Sequence, residues 1–210
     1  MARGYALSDE ARAGRVAQKQ ATRDALLNAA RKLFADKGYD STTVTEIGRV
    51  AGVSHTLINT YFGGKAGLLA AVVTGTNAPQ VKQTLEILAM PVDPIRRLRA
   101  VMECWAQLDL ADRRLLAVLH ATSWDWGTEA EAANRLELAQ FTKALETLIV
   151  EARAADMAMG PVAPADVAEA LVAIYTWGMR RALYDALQPK EAIAALWPQV
   201  VAAAGLREAA

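Results

Sequence analysis

The 210-residue chain has few of the residues that hold metals, form disulfides or act as nucleophiles. It contains one cysteine, Cys104, and two histidines, His55 and His120. A lone cysteine excludes internal disulfides and cysteine-based zinc sites, and it fits a reducing compartment. Neither histidine follows a glutamate by three residues, so the ligand pattern of di-iron helical bundles is absent. We therefore predict that the protein holds no metal and no cofactor.

Long hydrophobic runs and the glycine motifs of nucleotide-binding enzymes are also missing. No apolar stretch approaches the ~18–20 residues of a membrane span, and no charged-then-apolar leader is visible. The sequence has no Walker glycine loop, G-x-G-x-x-G, G-x-S-x-G or H-E-x-x-H. These absences disfavour an enzyme, and they predict a cytoplasmic protein without membrane association.

Aromatic residues are scarce as well, at 6% of a chain that is 53% hydrophobic. Much of the remaining apolar content is alanine and leucine, which favours an all-α fold. The net charge is zero but unevenly spread. Residues 1–75 hold ten Lys and Arg against six Asp and Glu, whereas residues 76–210 hold thirteen against seventeen. A basic N-terminal part beside an acidic remainder suits contact with phosphates at one end only.

The most informative segment, residues 42–69, reads as two short helices joined by a glycine turn. Thr43 and Glu46 have the spacing of a capping box, which marks a helix start. Gly52 lies at the sharp bend, and Ser54 is a suitable cap for the second helix. The outward positions of that helix, predicted over Ser54–Tyr61, are all polar: His55, Thr56, Asn59 and Thr60. A short helix with a polar outer face after a tight turn is the arrangement that enters a DNA major groove.

These residues carry a family resemblance that covers roughly the first third of the chain. The segment resembles the DNA-binding region of the TetR family of transcriptional regulators. The matching features are the TTV run at 42–44, Ile47, the AGVS run at 51–54, the pair Tyr61-Phe62, Lys65, and the upstream AARKLFADKGYD run at 29–40. The run Tyr61–Leu69 is also similar to choline-responsive repressors within that family.

The resemblance and the residue types together predict which side chains meet DNA. The candidate base readers are His55, Thr56, Asn59 and Thr60, because asparagine can pair with adenine and threonine can meet a thymine methyl. The candidate phosphate contacts are Thr43, Thr45, Ser54, Tyr61 and Lys65. The chain departs from the family pattern at Asn59, where many members have tyrosine, and at Thr56, where glycine or proline is common.

The helical pattern predicts a basic tail over 1–16, a three-helix helix-turn-helix domain over 17–64 and a larger helical bundle over 65–210. The tail is either a flexible arm that reaches DNA or a solvated segment. We expect Pro79 to kink or break the helix that starts at Lys65, and Pro198 to kink the last helix. We also expect Gly127 to end a helix near Trp126, with a second capping box at Thr128 and Glu131.

The last two helices, about 165–187 and 190–204, are predicted to form a homodimer interface. The first of them is apolar on more than one face, and such a helix must be covered on both sides. A dimer would place two copies of the polar helix in successive major grooves of a partly palindromic operator.

In the resembling family, the larger domain typically holds a small ligand that releases the dimer from DNA. The candidate effector residues here are aromatic side chains with a few neighbours, which suit a small apolar or cationic effector: Met102, Trp105, His120, Trp124, Tyr175 and Trp177. The plainer interpretation is that the tryptophans are ordinary core and that His120 is a hydrogen-bonded core histidine.

Three hypotheses remain at this stage. The first is a ligand-responsive repressor, and the second is a DNA-binding dimer controlled by a protein partner without a small effector. The third, a helical-bundle enzyme, lacks every motif such an enzyme would need.

Overall fold

The computed structural model describes residues 9–125 and 128–207, and these residues divide into two compact units, 1–72 and 73–210. The helices are α1 Asp9–Lys37, α2 Val44–Ala51, α3 Thr56–Phe62, α4 Lys65–Leu88, α5 Pro94–Ala111, α6 Arg113–Thr122, α7 Thr128–Ala154, α8 Pro164–Tyr184 and α9 Pro189–Ala204, with a short 3-10 turn at Ser123–Asp125. The described part of the chain contains no strand, only an isolated antiparallel bridge between Ala158 and Leu206. The all-α prediction is confirmed.

Helix α1 is longer than expected. It begins at Asp9, so residues 9–16 are helical where a tail was predicted, while residues 1–8 lie outside the described residues. The alanines at 11, 13 and 17 have high helix propensity, which favours continuing the helix toward the N-terminus. Every residue from 11 to 20 is exposed.

The N-terminal unit has a small core built from three helices and the start of α4. Leu26, Ala30 and Phe34 of α1 are fully buried together with Ile47 of α2 and Ile58 of α3. Thr42 secures the loop after α1, because its hydroxyl donates to the Gly38 carbonyl at 2.8 Å. Ala29 and Leu33 of α1 and Phe62 of α3 are buried as well, whereas Val50 of α2 is 42% exposed.

The larger unit packs α5 to α9 and the second half of α4 around one apolar core. Asp93 caps α5 and Pro94 opens it. Gly205 ends α9 in the left-handed conformation. Among the described helices, none is long and apolar enough to cross a membrane.

Two expected interruptions are absent. Helix α4 runs through Pro79 to Leu88, and α9 runs through Pro198 to Ala204. Pro79 has no amide hydrogen to donate to the Gly75 carbonyl four residues before it, yet α4 continues past this point. Helix α6 ends at Thr122, earlier than expected. The predicted stop at Trp126 and Gly127 lies outside the described residues.

The boundary between the two units also differs from the predicted domain boundary. The sequence suggested a division before Lys65, at the start of α4, whereas the compact units meet between Val72 and Val73, inside α4. The first two turns of α4 bury Leu68 and Leu69 in the N-terminal unit, and this burial carries the unit past the start of the helix.

Candidate DNA-binding surface and effector cleft

The turn between α2 and α3 is fixed by a cap at each end of α2. The Thr43 hydroxyl accepts from the Glu46 amide at 3.2 Å, and the Glu46 carboxylate accepts from the Thr43 amide at 3.2 Å, which confirms the capping box. Gly52 follows α2 with φ of 69°, a conformation that favours glycine. The Val53 amide then donates to the Gly48 carbonyl at 3.0 Å and closes the turn.

A close approach at Gly48 sets the spacing of α2 and the start of α3. A Cβ at Gly48 would lie 2.8 Å from the His55 amide nitrogen, which is too close for any side chain. Gly67, in the first turn of α4, is equally constrained, because its added Cβ would lie 1.7 Å from the Phe62 carbonyl oxygen. Sequence analysis did not single out either residue. Both glycines lie inside helices, where glycine is less favourable than alanine by about 1 kcal/mol. This unfavourable choice could have indicated a close backbone contact at each position.

Helix α3 presents its predicted polar face to solvent. Ile58 and Phe62 face inward and are buried, and the polar residues of the helix and its leading turn are exposed: Ser54, His55, Thr56, Asn59 and Thr60. Thr43 and Thr45 of the preceding helix start are also exposed, while Tyr61 and Lys65 are half-buried. The structure therefore brings all nine predicted DNA-contact residues into one unit of the chain.

The start of α3 differs in detail from the prediction. The helix begins at Thr56, two residues after the expected Ser54, and the residue at the cap position is His55, whose side chain makes no cap hydrogen bond. Ser54 contributes through its hydroxyl, which lies 2.8 Å from the Thr56 hydroxyl and 3.4 Å from the Thr56 amide. The Leu57 amide also donates to the Ser54 carbonyl at 3.1 Å, so the turn is tight from Ser54 onward.

Lys65 lies against an aromatic ring that the sequence analysis did not assign. Its ammonium nitrogen is 4.2 Å from the centroid of the Tyr39 ring and 3.5 Å from the Asp40 carbonyl oxygen. Burial lowers the pKa of Lys65, and the nearby charge of Asp40 acts in the opposite direction. The cation–π contact holds the ammonium at the start of α4, where helix amide groups also face outward.

The predicted effector residues separate into a buried group and an exposed group. Met102, Trp105 and Tyr175 are buried, and the Trp105 and Tyr175 ring centroids are 5.4 Å apart in an edge-to-face arrangement. His120 is half-buried, and burial followed by the charge of Arg180 lowers its pKa. Trp124 and Trp177 are 96% and 72% exposed. Trp124 and Trp177 therefore do not lie in the core with Met102, Trp105 and Tyr175.

A cleft of about 470 Å³ opens between α4 and α7 in the larger unit. Its walls are mainly apolar and consist of Val81, Thr84, Leu85, Leu88, Ala139, Gln140, Phe141, Lys143, Ala144 and Thr147. None of the predicted effector residues lines it. Trp105 lies directly behind the wall, because its indole nitrogen donates to the Thr84 hydroxyl at 2.8 Å and its ring is 4.8 Å from that of Phe141.

A polar network behind the cleft ties together α4, α5 and α8. The Asp109 carboxylate accepts from the Gln80 side-chain amide at 2.6 Å and from the Tyr175 hydroxyl at 2.6 Å. Burial raises the pKa of Asp109, while the hydrogen bonds from Tyr175 and Gln80 act in the opposite direction. Burial and the adjacent Asp109 also raise the pKa of Tyr175 well above its usual range.

The sequence of the N-terminal unit matches a known family. Residues 26–72 match the family model described as bacterial regulatory proteins of the tetR family. This segment is similar to the DNA-binding domain of the TetR family. The TetR-family match begins at Leu26 in α1, includes α2 and α3, and ends at Val72 in α4. The resemblance predicted from the sequence is confirmed, and the domain is that of a regulator rather than of an enzyme.

One curated relative is the HTH-type transcriptional regulator HbdR of Aromatoleum sp. (strain CIB). It is 37% identical over 93 residues, which are 43% of this chain and 38% of the relative. The match therefore spans well under half the length of this TetR-family relative.

Solved structures of TetR-family repressors share the fold over nearly the whole chain. NalD of Pseudomonas aeruginosa, the secondary repressor of the MexAB-OprM multidrug efflux pump, superposes with a TM-score of 0.75 at 24% identity. That match covers 91% of this chain and 100% of NalD. A complex of SmeT with triclosan, from Stenotrophomonas maltophilia, has a TM-score of 0.71 at 22% identity, and it covers 90% of this chain and 93% of SmeT.

Proposed function

We propose that the protein is a homodimeric transcriptional repressor that binds a partly palindromic operator and leaves it when a small apolar molecule occupies the α4–α7 cleft. The observation that carries the DNA-binding part is the exposed polar face of α3 on a TetR-family domain. HbdR, which is similar over 93 residues, is named as a transcriptional regulator, and NalD, which shares the fold, is named as a repressor.

The roles of individual residues follow from where they lie. Asn59 is exposed in the middle of α3, and its amide can make two hydrogen bonds to adenine in the major groove. Lys65 lies at the start of α4, where its charge suits a phosphate and carries no sequence information. Asn59 is therefore assigned to base reading and Lys65 to positioning.

The test of DNA binding is a titration of the full-length protein against genomic fragments with competitor DNA. We expect selective retention of a fragment that contains an inverted repeat. On that fragment, Asn59→Ala should relax the preference at one base pair of each half-site, costing about 1–3 kcal/mol. Lys65→Ala should weaken binding to every sequence alike. Equal binding of wild type to all fragments would overturn the proposal.

The dimer is supported by an uncovered face on the last two helices. Trp177 and Tyr184 of α8 are 72% and 76% exposed. Small residues on α8 and α9 are exposed as well, and such residues let helices approach closely: Ala170, Ala173, Ala194, Ala195, Ala202 and Ala203. Large exposed aromatic side chains beside small ones suit a second copy of the same surface. One half-site contacted by one small domain would give little affinity, so the dimer also serves DNA binding.

The effector class follows from the cleft. A volume of about 470 Å³ lies within the range of small-molecule sites, and the walls are chiefly aliphatic and aromatic. The SmeT–triclosan complex shows that a protein of this fold binds a compact apolar molecule. The cleft favours a ligand-responsive regulator over the alternative of a DNA-binding dimer controlled by a protein partner alone. Because Trp124 and Trp177 are exposed and the cleft walls are mainly apolar, we assign an apolar ligand.

The effector assignment has its own test. A solvent-sensitive apolar dye should bind the wild-type protein, and apolar compounds that displace the dye should release the protein from its operator. Displacement of the dye without release from DNA would favour the partner-controlled alternative.

A further inference from the structure

We infer that α1 carries a second DNA-contacting surface, a stripe of four cations that follows the phosphate backbone beyond the half-site read by α3. The stripe consists of Arg12, Arg15, Lys19 and Arg23. This inference rests on the proposed DNA binding and adds a contact that lies outside the helix-turn-helix. It also assigns the basic N-terminal segment to DNA contact, where the sequence left open either an arm that reaches DNA or a solvated segment.

The spacing of the four residues places them on one side of α1. They follow one another at intervals of three, four and four residues, so at 3.6 residues per turn they fall within an arc of about 80°. No acidic residue occurs between Ala11 and Arg23. Asp24 is the next acid along the chain, and it accepts a hydrogen bond from Gln20 at 2.8 Å, away from the stripe. The stripe is therefore a continuous positive surface.

Two ring contacts fix which way the stripe faces. The Lys19 ammonium is 5.9 Å from the centroid of the Tyr61 ring, and the Arg23 guanidinium is 5.2 Å from that of Phe62. Both rings belong to α3. The stripe is thus continuous with the C-terminal end of the helix whose outer face reads bases.

The length and exposure of α1 extend the surface outward. Arg12 and Arg23 are eleven residues apart in one helix, which corresponds to about 16 Å at 1.5 Å per residue. Arg12, Arg15 and Lys19 are exposed. Phosphates recur about every 3.4 Å along one strand, so a span of this length passes several of them. A duplex is the partner whose charge and shape match an exposed positive helix of this length.

The test compares the salt dependence of binding to an operator duplex and to a duplex of scrambled sequence. Each lost phosphate contact should reduce the slope of log affinity against log salt by about 0.9. We expect Arg12→Gln/Arg15→Gln to lower the slope by about 1.8 per protomer on both duplexes. Lys32→Gln is the matched control, because Lys32 is exposed on the same helix about 180° from Arg23. It should leave the slope unchanged.

Two further variants distinguish failure of the α1 proposal from failure of the proposed DNA binding. Arg12→Lys/Arg15→Lys keeps both charges and should restore the wild-type slope, whereas loss of the slope in this variant would contradict a phosphate contact. Lys65→Gln reports on the proposed function itself and should lower the slope. If Lys65→Gln lowers the slope and Arg12→Gln/Arg15→Gln does not, the α1 surface is overturned and DNA binding stands. If no variant changes the slope and the two duplexes bind alike, both proposals fall.

Discussion

Gly48 is the residue on which the geometry of the helix-turn-helix most directly depends. Any Cβ at this position would overlap the backbone of His55, and a backbone cannot move aside as the end of a flexible side chain can. We expect Gly48→Ala to displace the start of α3, destabilise the N-terminal unit by about 1–3 kcal/mol and abolish selective operator binding. Chemical denaturation and operator titration measure the two effects.

Gly14→Ala is the matched control for that substitution. Gly14 also lies within a helix, but an added Cβ would meet nothing within 4 Å, so alanine should stabilise α1 slightly and leave operator selectivity intact. Equal stability and equal operator selectivity of the two variants would show that the close approach at Gly48 affects neither quantity.

Thr43 tests the other end of α2. Its hydroxyl accepts from the Glu46 amide, and replacing such a cap with alanine typically costs about 0.5–2 kcal/mol. We expect Thr43→Ala to lower the free energy of unfolding by this amount, while Thr43→Ser should retain most of the stability. Loss of the same stability in both variants would assign the effect to the threonine methyl group instead of the cap.

The raised pKa of Asp109 predicts that the stability of the larger unit depends on pH. Burial raises its pKa, so the folded protein holds the Asp109 proton more tightly than the unfolded chain does. The stability of wild type relative to Asp109→Asn should therefore increase as pH falls through the folded-state pKa of Asp109. It should level off below the unfolded-state value and be lost again as pH rises. Urea unfolding of both proteins over a pH series measures the difference, and a difference that does not vary with pH would contradict the prediction.

At the scale of elements, the cleft between α4 and α7 gives a further prediction. Ala139 lines the cleft and is exposed, so a tryptophan there should fill part of the opening. We expect Ala139→Trp to weaken binding of an apolar dye at least tenfold while operator binding stays unchanged. Ala154→Trp, at an exposed position of the same helix outside the cleft wall, is the control. Equal dye affinity in both variants would place the dye elsewhere.

The sequence was most informative where local chemistry decides the structure. The capping box at Thr43, the left-handed Gly52 and the Asp93-Pro94 helix start depend on neighbouring residues only, and each was predictable. The exposure of Trp124 and Trp177 was not predictable. Helical spacing shows which residues share a face of a helix, but it does not show which other element, if any, packs against that face. The cleft was missed for the same reason, since its walls come from α4 and α7, which lie some sixty residues apart in the chain.

The extent of α1 and the continuity of α4 illustrate a different limit. Both depend on whether the helix extends by a further turn. At each place some residues favour the helix and others disfavour it. At residues 9–16, alanine propensity outweighs the charged composition that suggested a tail. At Pro79 the helix loses one backbone hydrogen bond but does not end, because it is long enough to retain its other hydrogen bonds.

For the whole molecule, the central prediction concerns the face formed by α8 and α9. We expect Trp177→Glu to shift the protein toward monomer, because the substitution places a charge in the surface that a second copy would cover. Operator affinity should fall accordingly. Trp124→Glu changes a tryptophan that is even more exposed and lies outside α8 and α9, so it should remain dimeric. Sedimentation equilibrium distinguishes the variants, and identical masses would remove α8 and α9 from the interface.

If the cation stripe on α1 binds phosphates as proposed, the ionic strength of the surroundings would control how much of the operator is occupied. Four phosphate contacts per protomer and two protomers correspond to a slope of about seven in log affinity against log salt. A doubling of salt would then weaken the complex by roughly a hundredfold with no effector present. A cell that loses water would release such a repressor, and one that takes up water would reload it. The extended first helix would therefore make osmotic state an input that acts alongside the proposed effector.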